Sequence, residues 1–204
     1  MNNAASPIDL GFVSARVPLG AHVCQIYNDN EERDRALLRF LSSGLQANES
    51  TACFTESIDL ATLREWFDRE GISVDDRAST GQFTFSSAEA VYFEGGYFDP
   101  ERMLKLLAQF HKESVAQGRT GARVIGEMSR AIATIEGGSR LFEYEARVNR
   151  LVREHPITAV CQYDARAFDG ATIMDVLAVH PLMVVRGNVI QNPFFVPAET
   201  YARQ

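Results

Sequence analysis

The sequence lacks the glycine- and lysine-containing loop that binds phosphate groups in nucleotide-binding α/β proteins. Residues 22–27 (HVCQIY) have the pattern of a buried strand and residues 30–45 that of a helix, but the turn between them, Asn28-Asp29-Asn30, contains neither glycine nor lysine. A phosphate-binding loop here would read G-x-x-x-x-G-K-[ST], because its backbone N–H groups and its lysine contact the phosphates. Asp29 and Glu31 would instead repel a triphosphate. The turn therefore favours an uncharged ligand.

Cysteine is also scarce, and its spacing excludes the common paired-cysteine motifs. Cys24, Cys53 and Cys161 lie in apolar stretches without any C-x-x-C spacing, which predicts buried free thiols. His22 and Cys24 lie on the same face of a strand and could form half of a metal site. No second close His/Cys pair completes such a site, so we expect neither a metal ion nor another cofactor.

Long apolar runs and an excess of positive charge are absent as well. No run approaches the ~18 apolar residues that suggest a membrane span, and the first twenty residues lack the pattern of a secretory signal. The net charge is −7, and the basic residues are scattered among acidic ones, which is not typical of a surface that follows nucleic-acid phosphates. We expect a cytoplasmic protein that binds neither membranes nor nucleic acid directly.

Recognisable catalytic signatures are missing too. There is no G-x-S-x-G nucleophile turn, and no cysteine lies in a known catalytic signature. His155 and His180 each precede a proline at the end of a predicted helix, where a cationic imidazole can cap the last carbonyl groups. These patterns predict a protein that is not an enzyme.

What the sequence does contain is a regular alternation of strand and helix patterns. Crossover helices between successive strands require a mainly parallel sheet, and 204 residues suit one domain. Two apolar runs around Arg186-Gly187-Asn188 predict a C-terminal antiparallel hairpin. The predicted fold is an α/β three-layer sandwich, with residues 1–20 as an N-terminal arm and 21–204 as a single domain. Predicted strands cover 22–27, 50–56, 82–90, 121–129 and 157–164; predicted helices cover 30–45, 57–71, 101–118, 139–154 and 170–181.

The aromatic, glycine-rich segment 91–98 (VYFEGGYF) predicts a long loop. Its glycines could act as hinges of a lid over a ligand site, or the loop could simply pack on the surface. Both interpretations are compatible with the pattern.

Candidate site residues follow from the rule that ligands bind beyond the carboxyl ends of parallel strands, where loops and helix N-termini converge. A mixture of aromatic and polar groups is typical of a small-molecule pocket. Glu127 leaves an apolar strand, so it must face solvent or find partners; it either pairs with Arg130, caps a turn or contacts the ligand. The predicted ligand-binding residues are Tyr27, Asn28, Glu56, Glu127, Tyr163 and Asp164.

The helix that follows adds further polar groups. Glu145 and Asn149 are four residues apart and share one helix face, and Glu143 with Arg147 predicts an exposed ion pair.

Six blocks of the sequence together resemble the MEDS domain, a sensory domain named for methanogens, methylotrophs and the regulator DcmR. The resemblance implies a RecA/KaiC-type fold and a role in sensing simple hydrocarbon derivatives for transcription regulators or histidine kinases. It also places Glu127 near the Walker B acid of a degenerate P-loop fold without Walker A, so hydrolysis is not expected. The blocks are GAHVCQIYNDNEE (20–32), FLSSGLQANESTACFTE (40–56), VIGEMSRAI (124–132), YEARVN (144–149), AVCQYDARAF (159–168) and VLAVHPLMVVRGNVIQNPFF (176–195).

We therefore expect a cytoplasmic sensory and signal-transduction domain that binds a small organic ligand. We expect no output domain after residue 204 and therefore expect it to signal to a partner, either a histidine kinase or a transcription regulator. One alternative is a ligand-free interaction adaptor that docks through its sheet edge and the apolar segment 193–196. Another is a divergent ATPase with unconventional phosphate contacts.

Overall fold

Strands and helices alternate along the chain, as the sequence predicts. The computed structural model describes residues 7–197. The strands are β1 (Ile8–Asp9), β2 (Arg16–Val17), β3 (His22–Tyr27), β4 (Ser50–Phe54), β5 (Phe83–Ser86), β6 (Ala122–Glu127), β7 (Ile157–Asp164), β8 (Leu182–Val185) and β9 (Asn188–Gln191). The helices are α1 (Asn30–Gln46), α2 (Leu60–Arg69), α3 (Val74–Ser79), α4 (Ala88–Tyr92), α5 (Pro100–Ala116), α6 (Leu141–Glu154) and α7 (Gly170–Val179). Short 3₁₀ turns occupy Glu94–Gly96, Arg130–Ala133 and Gly138–Arg140.

Seven strands form one sheet in the order β5-β4-β6-β7-β3-β8-β9. Every neighbouring pair is parallel except β8 and β9, which are antiparallel. One face of the sheet packs on a core shared with α1, α2 and α3, and the other on a core shared with α4 to α7. The mainly parallel three-layer α/β sandwich is therefore confirmed.

The C-terminal hairpin is also confirmed, and its turn explains why the sequence reveals it. Arg186 and Gly187 both have positive φ angles, 48° and 74°. Two such residues form a type I′ turn, whose twist matches that of the flanking strands. The antiparallel β9 is thus the last strand at one edge of the sheet.

The N-terminal arm folds against the domain where the structure describes it. β1 and β2 pair antiparallel, and Leu10 and Val17 are buried. Gly11 lies so close to α1 that a Cβ there would be 2.2 Å from the carbonyl oxygen of Arg39. Residues 1–6 and 198–204 of the predicted arm and domain lie outside the described residues.

Three local features differ from the sequence prediction: the start of α2, the presence of α3 and the end of β5. α2 begins at Leu60 with Asp59 as its cap, because the Asp59 carboxylate accepts a hydrogen bond from the Thr62 N–H. Ser57, the first residue of the predicted helix 57–71, lies before α2, and its hydroxyl donates to Glu127. The short helix α3 was not expected, and Ser73 caps it. The predicted strand 82–90 ends at Ser86, since Ser87 already caps α4.

Segment 91–98 packs against the rest of the domain. This agrees with the interpretation of a packed loop and not with that of a hinged lid. The Arg102 guanidinium donates hydrogen bonds of 2.8 Å to the carbonyl oxygens of Val91 and Tyr92. Tyr92 and Phe98 are buried, and the Tyr92 hydroxyl lies 2.2 Å from where a Cβ on Gly126 would be. These contacts tie the segment to β6 and α5 instead of leaving it as a hinged lid.

Between Pro7 and Pro197, no helix combines the length and the apolar character that crossing a membrane requires.

Candidate functional site

Glu127, the last residue of β6, lies at the centre of a group of hydroxyls on the carboxyl edge of the sheet. Its carboxylate accepts hydrogen bonds from the Tyr27 hydroxyl at 2.9 Å, the Thr55 hydroxyl at 2.6 Å and the Ser57 hydroxyl at 2.5 Å. The Arg33 guanidinium lies 3.9 Å away. These five residues come from β3, α1, β6 and the segment between β4 and α2, and are here called the Glu127 cluster.

The cluster keeps Glu127 ionised although the carboxylate is largely shielded from solvent. Burial opposes ionisation, but the hydrogen bonds from Ser57, Thr55 and Tyr27 and the charge of Arg33 outweigh it, so the pKa of Glu127 lies below its ordinary value. Burial and the neighbouring carboxylate raise the pKa of Tyr27, which keeps its hydroxyl protonated as a donor.

In the turn from β3 to α1, a side-chain carboxylate occupies the helix N-terminus at which a P-loop protein binds phosphate. Asp29 caps α1, and its side chain accepts a hydrogen bond of 2.8 Å from the Glu31 N–H. Glu31 and Glu32 add negative charge to the first helical turn. Because a helix N-terminus attracts anions through its free N–H groups, this capping carboxylate competes with any phosphate group.

Of the six residues proposed from the sequence, the structure joins only Tyr27 and Glu127 by a hydrogen bond, and Asp164 is the neighbour of Tyr27 in the register of β3 and β7. Asn28 is exposed, and Glu56 is exposed and accepts a hydrogen bond from the Glu89 N–H at the start of α4. Asp164 pairs with Arg166 at 2.8 Å.

Tyr163 points to the opposite face of the sheet, where its hydroxyl donates to Glu145. Adjacent residues of a strand face opposite sides, so Tyr163 and Asp164 cannot share one pocket.

Sequence reasoning did not identify the importance of Ser57 and Arg33. The signal for Ser57 is its position just after β4, which lies beside β6 in the sheet. Arg33 gave no signal, because only the packing of α1 brings it to Glu127. The predicted partner Arg130 belongs to the 3₁₀ turn after β6 and lines a cavity instead.

That cavity, of about 490 Å³, lies at the carboxyl edge between the 3₁₀ turn after β6 and the start of α7. Its lining includes Arg130, Thr134, Phe168, Asp169 and Thr172. A larger open cavity of about 860 Å³ lies at the opposite edge of the sheet, beside the N-terminal arm, and its polar lining includes Arg16 and Glu70. The smaller cavity adjoins the segments that follow β6 and β7.

A second polar group is buried on the other face of the sheet, beneath α6 and α7. The Glu145 carboxylate oxygen Oε2 lies 3.2 Å from His22 Nε2, 3.7 Å from His180 Nε2 and 3.8 Å from Cys161 Sγ. His22, Glu145 and His180 are almost completely buried, and Cys161 is half-buried. These four residues, here called the His/Glu/Cys cluster, offer one ligand atom each within 4.8 Å of one another. The cysteine of the group is Cys161 and not Cys24, the expected companion of His22.

Three neighbours orient this cluster. His22 Nδ1 lies 3.0 Å from Asn149 Oδ1, and His180 Nδ1 lies 2.7 Å from the Val176 carbonyl oxygen. Tyr163 donates to Glu145 Oε1 at 2.7 Å. The predicted shared face of Glu145 and Asn149 thus points inward, whereas Glu143 and Arg147 form the predicted surface pair at 3.3 Å.

His180 ends α7 as predicted, but it is not the cationic cap that the sequence suggested. Burial, together with the adjacent His22, lowers the pKa of His180 to about 3. The neutral imidazole still contacts the carbonyl oxygen of Val176 at the helix end. Burial likewise opposes ionisation of Glu145, yet contacts with His22 and Tyr163 hold the pKa of Glu145 below its ordinary value.

Comparisons with solved structures agree with this architecture. The flagellar accessory protein FlaH from Methanocaldococcus jannaschii is similar with a TM-score of 0.66 and 11% identity, over 91% of this chain and 84% of that one. A KaiC-like protein from Pyrococcus horikoshii has a TM-score of 0.57 and 14% identity, over 79% and 71% of the two chains. At such identities the likeness concerns the RecA/KaiC-type fold alone.

Sequence comparison identifies the family. The transcriptional repressor DcmR of Methylorubrum extorquens is 26% identical over 166 residues, which are 78% of this chain and 57% of the repressor. The chain thus spans little more than half the length of that relative. The sequence model of the MEDS domain, the methanogen/methylotroph, DcmR sensory domain, matches residues 21–181, and the chain therefore belongs to the MEDS family.

Proposed function

We propose that the chain is a cytoplasmic, non-enzymatic sensory domain that binds a small organic ligand at the carboxyl edge of its sheet and signals to a partner regulator. Membership of a sensory family and similarity to a transcriptional repressor support this role. The proposal depends mainly on one observation: the Asp29 carboxylate caps α1 at the position where P-loop proteins bind phosphate, which disfavours a nucleotide as the ligand. Free thiols at all three cysteines accord with a reducing compartment.

The ligand site that fits best is the cavity between Arg130 and Thr172. Its volume of about 490 Å³ lies within the range of small-molecule pockets. Phe168 supplies an apolar wall, Thr134 a hydroxyl and Arg130 a cationic donor. The Asp169 carboxylate is already occupied by the Thr172 N–H at 2.8 Å. This lining suits a small neutral molecule with one or two hydrogen-bond acceptors.

The route to a partner runs through α7. This helix begins at the cavity and ends at Val179, and its C-cap His180 lies shortly before the hairpin of β8 and β9. Ile190 on the hairpin and Phe194 just after it are 42% and 52% exposed. A partner such as a transcription regulator or a histidine kinase would dock on this apolar edge and respond to the position of α7.

Thermal-shift screening of the purified chain against small organic compounds, including simple hydrocarbon derivatives, tests the sensory role. A ligand that binds only the native state raises the unfolding temperature, and the stabilisation grows with the logarithm of its concentration relative to Kd. We expect a stabilising compound whose effect is lost in Phe168→Ala and retained in Phe194→Ala. Stabilisation by no compound of a broad panel would contradict ligand sensing.

The exposed Phe194 favours the ligand-free adaptor as the second candidate. A partner captured equally with and without a stabilising compound, and lost in Phe194→Ala, would support the adaptor. Calorimetry with ATP and Mg²⁺ tests the ATPase alternative, for which we expect no binding heat. Tight magnesium-dependent binding of ATP would contradict the proposed sensor.

A further inference from the structure

We propose that His22, Glu145, Cys161 and His180 bind a divalent transition-metal ion of the zinc class. The site lies on the face of the sheet opposite the Glu127 cluster. It is independent of the proposed ligand cavity, because none of the four residues lines that cavity. The two proposals can therefore fail separately.

Four of the six distances between the ligand atoms are close to those of a tetrahedral site, and the other two do not exceed 4.8 Å. His22 Nε2 lies 3.2 Å from Glu145 Oε2 and 3.4 Å from Cys161 Sγ. Glu145 Oε2 lies 3.7 Å from His180 Nε2 and 3.8 Å from Cys161 Sγ. Zinc bonds to nitrogen, oxygen and sulfur separate neighbouring ligand atoms of a tetrahedron by ~3.3–3.8 Å. An ion can thus be accommodated without large side-chain movements.

The hydrogen bonds on the far side of each imidazole direct Nε2 toward the centre. The Val176 carbonyl can only accept, so His180 Nδ1 carries the proton and donates. The Asn149 amide nitrogen donates to the Val179 carbonyl at 2.7 Å, which leaves its oxygen to accept from His22 Nδ1. Metal-binding histidines are oriented in this way, with the outer nitrogen bonded to a carbonyl or carboxylate.

His180 Nε2 is a buried nitrogen atom whose lone pair a cation would satisfy. It is buried and has no hydrogen-bond partner among the described residues. Because Nδ1 carries the proton of the neutral ring, the Nε2 lone pair faces the Glu145 carboxylate at 3.7 Å. Two acceptors that face each other in a buried space are unfavourable. A metal ion between them would turn both into ligands.

The donor set and its charge indicate the class of ion. A Cys161 thiolate and the Glu145 carboxylate together neutralise a divalent cation, and two neutral imidazoles complete the set. Mixed nitrogen, sulfur and carboxylate ligands suit Zn²⁺ and Co²⁺, whereas Mg²⁺ and Ca²⁺ prefer oxygen ligands alone. Tyr163 holds the other Glu145 oxygen at 2.7 Å and so leaves Oε2 free for the ion.

The same residues contain a Cys161–His22–Asn149 arrangement that resembles a nucleophilic triad. Its electrostatics argue against nucleophilic use. Burial and the Glu145 carboxylate raise the pKa of the Cys161 thiol well above its ordinary value, whereas an activated nucleophile requires a lowered one. A bound cation reverses this effect, because it stabilises the thiolate directly.

Four different elements supply the ligands: β3, α6, β7 and the residue that ends α7. A bound ion would cross-link them, and its binding free energy would add to folding stability. We therefore expect Zn²⁺ to raise the unfolding temperature of chelator-treated protein.

Cobalt titration of the tag-free, metal-stripped full chain tests the site. We expect one Co²⁺ per chain, visible ligand-field bands of a tetrahedral site and a near-ultraviolet thiolate-to-cobalt charge-transfer band. Zn²⁺ should displace the cobalt. The charge-transfer band should be lost in Cys161→Ser and retained in the matched control Cys53→Ala, since Cys53 is buried on the other face of the sheet.

Tyr163→Phe offers a milder variant in case Cys161→Ser does not fold. It removes only the hydrogen bond to Glu145, and loss of such an outer partner weakens metal binding about 10–100-fold. The partly exposed pair His111 and His155, with ring centroids 5.4 Å apart, is an alternative surface site for a metal ion. The proposal is overturned if the parent protein binds no cobalt, shows no charge-transfer band, or keeps that band in Cys161→Ser. Binding that disappears in His111→Ala would likewise overturn it.

Discussion

The Tyr27 hydroxyl donates a hydrogen bond of 2.9 Å to Glu127, a residue 100 positions later in the chain. The contact joins the ends of β3 and β6, which are separated in the sheet by β7. It places a protonated phenol beside the carboxylate that the family resemblance aligns with a Walker B acid. The carboxylate thus serves an internal hydrogen-bond network at the edge where ATPases bind Mg²⁺ and nucleotide.

Glu127→Gln should destabilise the protein, because three hydroxyl donors and Arg33 lose a charged acceptor. Loss of hydrogen bonds to a partly buried charged group costs about 1–3 kcal/mol of unfolding free energy. Urea unfolding of the parent and the variant measures the difference. The control Glu65→Gln, at a side chain that is 75% exposed, should change the unfolding free energy by less than about 0.5 kcal/mol. Equal effects of the two substitutions would show that the Glu127 network contributes nothing.

The contribution of Glu127 should also depend on pH in a defined direction. Its pKa is lower in the folded protein than in the unfolded chain, so the unfolded chain binds the proton more tightly. The stabilisation is therefore complete above the unfolded value of about 4.3 and is lost as the pH falls through the folded pKa. Unfolding free energies of the parent and Glu127→Gln should differ most near neutral pH and converge in acid. A difference that widens toward low pH would contradict this sign.

Gly44→Ala should destabilise the protein even though Gly44 lies inside α1. Helix propensity alone favours alanine by about 1 kcal/mol. A Cβ at this position, however, would lie 2.5 Å from Cδ and Nε of the buried Arg123 and 2.7 Å from Thr51. Overpacking costs about 1–3 kcal/mol, and displacement of Arg123 would add to it. Thermal unfolding should show a lower midpoint for this variant. Gly170→Ala, where no atom lies within 4 Å, is the control and should be neutral or slightly stabilising.

Arg123 and Glu49 form an ion pair whose side chains are 1% and 5% exposed. Arg123→Met or Glu49→Gln alone would leave a buried group without its partner, which costs about 3–5 kcal/mol. Arg123 also donates to the Phe40 carbonyl at 2.9 Å, so its removal should be the more costly change. The double variant Arg123→Met/Glu49→Met should be less destabilised than the sum of the single Met variants, as measured by urea unfolding in a double-mutant cycle. Strict additivity would mean that the pair is not coupled.

Much of the fold could be predicted because its signals are local. The helical spacing of Leu37, Phe40 and Leu41 acts within a few residues, as do the two turn residues that precede β9. The short helices α3 and α4 contain too few residues to show a helical period. The only sequence signals for these two helices are their N-caps, Ser73 and Ser87.

The candidate site was predictable only in part. Parallel strand ends meet at one edge, so Tyr27 and Glu127 could be expected near each other. The partners Thr55, Ser57 and Arg33 depend on which strand lies beside which and on how α1 packs. Strand alternation alone could have separated Tyr163 from Asp164.

The sequence by itself determined the alternation of elements, the missing phosphate loop and the C-terminal hairpin, because each follows from the chemistry of neighbouring residues. Only the tertiary structure decided that His22, Glu145, Cys161 and His180 converge. Their spacing in the chain matches no metal motif. They meet because the β3–β7 pairing and the packing of α6 and α7 bury them in one place, and such long-range contacts leave no periodic trace in a single sequence.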